Sequence, residues 1–337
     1  MIYRTILALR HLAYEKGWKK TFKADVPTIC VGNITVGGTG KTPHTEMILR
    51  KLLENGRENL AVLSRGYKRK SKGFQLAGAD ATVRLVGDEP LQMARKFPMV
   101  TVAVDKNRVR GCQILTSGTG NTPAPSVIIL DDAFQYRKLA ATLNIVLVDY
   151  NRPVFEDKLM PWGNLRDFPS QLRRAQVVIV SKCPAELDQV ERAEWRSRLK
   201  LSDEQQLFFT TVSYCPAEPV FPEGDAHYLY SKRLVLVSGI ANNTPLRMYL
   251  SDAYKIVQRL EFPDHHRFSA GDIHSIASAI KANPTACLMT TEKDAQRLRD
   301  CKNVPEQIRQ RLFYIPIQAR FLTEEDDVAF TKVLNGL

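Results

Sequence analysis

Lys41 and Thr42 stand directly behind glycines 37, 38 and 40 in the run V-G-N-I-T-V-G-G-T-G-K-T-P at positions 31 to 43. That spacing suits the holding of a polyphosphate. Glycines let backbone N–H groups turn toward an anion with no Cβ in the way, and a helix opening at Lys41 adds its partial positive charge. Thr35, Val36, Gly37, Gly38, Thr39, Gly40, Lys41 and Thr42 form the expected cradle, in which Lys41 reaches the β/γ-phosphates and the Thr42 hydroxyl holds Mg²⁺. The usual form of this turn has Gly or Ala where Thr35 stands. The lysine that double-glycine nucleotide-binding turns carry is here Val36. A glycine-rich turn that binds nothing is the plain alternative. Strand, glycines, Lys-Thr and helix in one register argue against it.

Four further groups have types and settings fit for chemistry. V-I-I-L-D-D at 127 to 132 is an apolar strand delivering Asp131 and Asp132 at its end, the arrangement that handles Mg²⁺ beside a phosphate turn. Asp88, in G-D-E-P, reads equally well as a helix cap or as a catalytic acid. Arg166 and Asp167 end the turn-rich stretch M-P-W-G-N-L-R-D. His265 and His266 are a candidate proton acceptor or an ordinary surface turn.

The elements that must position these groups alternate. Strands are expected at 29–31, 60–64, 100–104, 127–130, 144–148, 177–180 and 207–212, with helices between them. Ser117 to Pro125 reads as a polar linker, and Cys215 to Gly224 as a hinge. Beyond it the alternation restarts, ending in a strand at 312–317. Strands alternating with helices imply a parallel sheet. The expected fold is therefore an α/β P-loop NTPase-like parallel sheet with a second, smaller α/β domain and an N-terminal amphipathic helix. The boundaries are 1–24 for the helix, 25–214 for the P-loop domain and 215–337 for the smaller domain.

The chain has 337 residues, of which 44% are hydrophobic and 25% charged, the balance of a folded protein. A net charge of +12 and a pI near 9.4 point to an anionic partner. The six scattered cysteines suggest neither a zinc site nor a disulfide framework, which fits a reducing compartment. No apolar run is long enough to cross a bilayer, and no signal-peptide pattern opens the chain. The first 23 residues interleave Ile2, Tyr3, Ile6, Leu9, Leu12 and Trp18 with seven basic residues, which reads as a basic amphipathic helix; on these residues alone, packing on its own domain is favoured over contact with a membrane.

Taken in order, several stretches resemble the tetraacyldisaccharide 4′-kinase family: the turn at 31–43, S-R-G-Y at 64–67, G-D-E-P at 87–90, L-D-D-A-F-Q at 130–135, L-R-D at 165–167, S-G-I-A at 238–241, F-P-D-H-H at 262–266 and T-T-E-K-D-A at 290–295. The resemblance implies transfer of the γ-phosphate of ATP to the 4′-hydroxyl of a lipid A disaccharide precursor, with Mg²⁺. It implies Lys41 and Thr42 as the phosphate-turn pair, Asp88 and His265 as the base for the sugar hydroxyl, and Asp131 and Asp132 as Mg²⁺ acids. Arg166 and Asp167 match an Arg-Glu pair beside the phosphates and metal, with Asp in place of Glu. Ala133 and Tyr136 also depart from the family's D-G-F-Q-H. With His265 in the second domain and Asp88 in the first, the two domains are expected to close around ATP.

A membrane-embedded acceptor makes the N-terminal helix an anchor on the inner-membrane surface, at its cytoplasmic face, and the chain is expected to act as a monomer. Removing residues 1–20 is expected to release it from membranes with ATP binding intact. The rival readings are a P-loop GTPase or metallochaperone-like switch and a soluble small-molecule kinase or ligase. Guanine reading would need N-K-x-D, and Ser181-Lys182 and T-E-K-D at 291–294 are poor substitutes. No nucleic-acid signature accompanies the charge.

Overall fold

Long β-branched runs with no polar face must be covered on both sides, and the chain covers them. The structure, a computed structural model, describes residues 2–118 and 123–337; part of the expected linker at 117–125 lies outside the described residues. The larger sheet orders its strands Ile317–Phe321, Gln206–Tyr214, Val177–Ser181, Leu143–Asp149, Thr28–Asn33, Val127–Asp131, Leu60–Ser64, Thr101–Val104 and Gln75–Leu76. Thr28–Asn33 runs parallel to both of its neighbours. Sheet growth proceeds away from it on both sides, so the crevice beyond its carboxyl end is where such sheets bind ligands.

Two layers of side chains sandwich this sheet. Cys30, Leu63, Ile128, Val146 and Val178 face one core, and Ile29, Val31, Val62, Ile129 and Ile145 the other. The helix Lys41–Glu54 lays Ile48, Leu49 and Leu52 on the second, all fully buried. The helix that opens at the phosphate turn is thus fixed by its apolar stripe.

The division of the chain departs from the expected one. One compact unit comprises residues 1–81, 93–213 and 318–337, and the other 82–92 and 214–317. The C-terminal stretch joins the larger unit because Ile317–Phe321 extends the large sheet, and because the helix Glu324–Asn335 buries Phe330 and Leu334 completely. Phe330 meets Phe208 edge-on, with ring centroids 5.5 Å apart. Sequence reading gave this helix no place, although Thr323 caps it ahead of four acids in the first turn.

The smaller unit has a five-stranded sheet ordered Glu218–Pro219, Leu312–Ile315, Cys287–Thr291, Arg233–Ser238 and Lys255–Glu261. Only the first pair is antiparallel. The expected hinge at 215–224 supplies that edge strand and buries Val220 and Phe221. Residues 82–92 join this unit: the Val83 N–H donates to Asp300 Oδ2 at 2.7 Å, and Asp88 lies among its side chains.

The N-terminal helix spans Ile2–Glu15 and stops short of the expected 24. Gly17 turns the chain at φ 72°, so Trp18 lies beyond the helix, and Phe22–Lys23 pairs in parallel with Leu139–Ala140. Leu7 and His11 point inward, whereas Ile2, Ile6, Leu9 and Trp18 are 58–79% exposed.

Phe330 is fully buried, so removing its ring leaves a cavity in the core. Phe330→Ala should lower stability by about 3–5 kcal/mol, measured by urea unfolding of the full chain. Tyr230→Ser, at a ring 83% exposed, should change it by less than about 0.5 kcal/mol.

Candidate active site

The phosphate turn is held from several sides. Gly37 and Gly40 adopt φ 102° and 86°, conformations that side chains resist. Gly40 caps the helix that begins at Lys41. The first turn of any helix leaves N–H groups unpaired, here those of Lys41 and Thr42, while Pro43 has none to leave. The Val36 N–H donates to the Asn164 carbonyl at 2.7 Å and the Thr39 N–H to the Gly37 carbonyl at 3.1 Å. Those two amides of the expected cradle are therefore engaged within the protein. Thr35, Thr39 and Thr42 are buried, and Gly37 and Gly38 are exposed.

Three neighbours brace the turn, and sequence reading assigned none of them. Asn33 donates through Nδ2 to Thr39 Oγ1 at 2.8 Å. Lys182 Nζ donates to the Gly38 carbonyl at 2.5 Å and pairs with Asp149 at 2.7 Å. His44 is fully buried, and burial holds its imidazole down at about 4, so it is neutral. Its Nδ1–H donates to the Gly40 carbonyl at 2.7 Å, and its Nε2 accepts from Thr210 Oγ1 at 2.9 Å. His44 follows Lys-Thr-Pro on the inward face of the helix, the one signal that could have found it.

Asp131 and Asp132 arrive where expected. Asp131, 2% exposed, accepts from Ser64 Oγ at 3.0 Å. Asp132 takes a left-handed turn, φ 48°, and receives both Arg166 NH1, at 3.2 Å, and NH2. Lys41 Nζ stands 3.8 Å from it. Burial pushes the Asp132 carboxyl up, but Lys41, Arg166 and Arg108 outweigh that and hold it below the usual range. Arg166 also donates to Asn33 Oδ1.

Asp167 goes elsewhere. It is 1% exposed, and its Oδ1 lies 2.6 Å from His11 Nε2 and accepts the Phe168 N–H at 2.9 Å. Among the described residues no three His, Cys, Asp or Glu side chains gather into a group that could hold a metal. Thr42, Asp131 and Asp132 nevertheless supply hard oxygen donors in a basic setting. Such a set suits Mg²⁺, which keeps several waters and takes one or two carboxylates plus phosphate.

Asp88 and His265 meet inside the smaller unit, which corrects the expectation that they come from different domains. His265 Nδ1 lies 2.9 Å from Asp88 Oδ2, and Asp88 Oδ1 accepts the Glu89 N–H at 3.1 Å. His265 itself adopts φ 58°, with its N–H on the Gly239 carbonyl at 3.2 Å, and this bend presents the ring to the acid. Burial raises Asp88, but the His265 hydrogen bond and the charges of Lys293 and Arg297 prevail and bring it to about 2. Arg297, 5% exposed, stands 3.3 Å from Asp88 Oδ2 and 3.0 Å from Asp294 Oδ1. Sequence reading quoted Asp294 within T-T-E-K-D-A but missed Arg297, one helical turn further on. His266 bonds Asp272 at 2.9 Å. Asp88 opens the helix Asp88–Lys96, with one carboxylate oxygen on the Glu89 N–H and the other on His265.

The comparisons with known proteins agree over nearly the whole chain. Residues 1–335 match the family model described as tetraacyldisaccharide-1-P 4'-kinase. Proteins named tetraacyldisaccharide 4'-kinase are similar to it: 44% identical over 318 residues in Parabacteroides distasonis, covering 92% of this chain and 85% of that one; 42% over 330 in Flavobacterium johnsoniae, covering 97% and 92%; and 41% over 333 in Phocaeicola vulgatus, covering 97% and 90%. Among solved structures, the "apo" form of LpxK from Aquifex aeolicus in complex with ATP superposes with a TM-score of 0.74 at 28% identity, covering 98% of this chain and 95% of that one. With a phosphate turn, its acids and an Asp-His pair in place, the chain belongs to the tetraacyldisaccharide-1-P 4'-kinase family and is a kinase.

Proposed function

We propose that this chain transfers the γ-phosphoryl group of ATP to the 4′-hydroxyl of a tetraacyldisaccharide 1-phosphate, with the cradle of the larger unit holding the nucleotide and the Asp88–His265 pair accepting the hydroxyl proton. The 2.9 Å Asp88–His265 contact carries the reading. A phosphate turn alone serves many reactions, whereas an oriented imidazole is what activation of a hydroxyl needs.

Phosphoryl transfer asks for neutralised oxygens, an aligned acceptor and a destination for its proton. Lys41 and Arg166 both approach Asp132 Oδ1 and supply positive charge. Thr42, Asp131 and Asp132 would hold Mg²⁺, which when bound supplies charge neutralisation on the β/γ-oxygens. Asp167 joins that set only in reading by resemblance. Asp88, held ionised, keeps the Nδ1 proton of His265 in place, so the ring takes up the hydroxyl proton at Nε2. The His265 side chain is 18% exposed against 6% for Asp88, so the ring is the member that reaches outward.

The acceptor's acyl chains give the exposed Ile2, Ile6, Leu9 and Trp18 a purpose. An apolar face beside Arg4, Lys16, Lys19 and Lys20 suits the surface of an anionic bilayer. No helix among the described residues is long and apolar enough to cross a membrane. The reading is of a monomer lying on the cytoplasmic face of the inner membrane.

Incubation with γ-labelled ATP, Mg²⁺ and the disaccharide 1-phosphate in detergent should label the lipid. Asp88→Ala or His265→Ala should cut that rate by about 10²–10⁴; label on the lipid at the wild-type rate would remove the base. Replacing Ile2, Ile6 and Leu9 together by Ser should move the protein from the pellet to the supernatant in sedimentation with anionic vesicles. Because the Asp88 carboxyl is depressed from 3.8 to about 2, the stability it contributes is fully present above about pH 4 and is lost as pH falls toward 2. Asp88→Asn should flatten that part of an acid-unfolding curve.

A further inference from the structure

The loop of Arg166 and Asp167 is gripped by the N-terminal helix. Tyr3 Oη donates to the Arg166 carbonyl at 2.8 Å, and Arg10 donates to the Gln135 carbonyl, whose own side chain donates to the Asn33 carbonyl at 2.6 Å. His11, 5% exposed, does more. Its Nδ1 is 2.8 Å from Arg137 NH1, a group that can only donate. Nδ1 therefore accepts, Nε2 carries the proton, and the 2.6 Å contact is Nε2–H donating to Asp167 Oδ1. That bond occupies one oxygen of a carboxylate whose other oxygen is buried without a hydrogen-bond partner. The Arg166 and Asp167 N–H groups both run to the Ile34 carbonyl, at 2.9 and 3.3 Å, just before the phosphate turn.

We propose that His11 is a positioning residue of the phosphate site: by holding Asp167 it fixes the backbone from which Arg166 reaches Asp132 and Asn33. The proposal rests on the phosphoryl-transfer reading above and deepens it. It assigns Asp167 a tether to the N-terminal helix where resemblance suggests a metal ligand. It also makes the segment that carries the membrane-facing side chains part of the nucleotide site. Deleting residues 1–20 would then disturb the site, contrary to the independence expected from sequence.

The test uses the full-length chain with His11→Ala, His11→Gln, Asp167→Asn and the His11→Ala/Asp167→Asn double variant. Amide hydrogen exchange at Arg166 and Asp167 and steady-state kinetics across a Mg²⁺ titration are measured on each. His11→Ala should speed exchange at both amides and lower kcat roughly 10-fold, with KM for the lipid within about two-fold. His11→Gln, whose amide nitrogen reaches the place of Nε2, should restore both, and the double variant should be no worse than His11→Ala, as expected of coupled partners. Unchanged exchange in His11→Ala overturns the proposal, whatever the rate does. So does a Mg²⁺ requirement raised about 10-fold or more by Asp167→Asn and not by His11→Ala, which would put Asp167 on the cation. If the wild-type chain labels no lipid, the parent reading falls, while the exchange data still decide the role of His11.

Discussion

Arg166 is tied at once to the Asp132 carboxylate and the Asn33 side chain, and Asn33 donates in turn to Thr39 inside the phosphate turn. An acid at the end of a buried strand is partly desolvated, so Asp132, with its side chain 34% exposed, is steadied by cations that stand beside it. Arg166, Lys41 and Arg108 fill that need around Asp132. The same cations are what a triphosphate requires. The Asp132 carboxylate therefore keeps these positive groups in place beside the glycine turn.

The smaller unit meets the same problem around another acid. Asp88 is buried and ionised because Arg297 and Lys293 surround it, and Asp294 in turn holds Arg297 and the Gly239 N–H. An acid so stabilised is a poor proton acceptor near neutral pH. Its effect is exerted on the ring of His265, whose orientation and proton it sets. The left-handed backbone of His265 is local strain accepted for that contact.

How much of this was legible beforehand follows from where the information lies. The glycine turn and the acids at 131 and 132 are sequence-local: a turn, a strand end and a helix start decide them. The meeting of Asp88 with His265 came from resemblance, since nothing in G-D-E-P names a partner 177 positions away. The domain boundary failed because residues 82–92 and 318–337 are placed by long-range packing, which no window of sequence displays. His44, Lys182 and Arg297 escaped for the same reason: each meets a partner distant in sequence, the Thr210 hydroxyl, the Gly38 carbonyl and the Asp88 carboxylate. Asp167 was read by type and position, and its bond to His11 could not be read from either alone.

The interleaved course of the chain bears on how it is made. Residues 318–337, which complete the larger sheet and bury Phe330 and Leu334, are translated after the whole of the smaller unit. During synthesis the sheet of the larger unit therefore keeps an open edge until residues 318–337 follow.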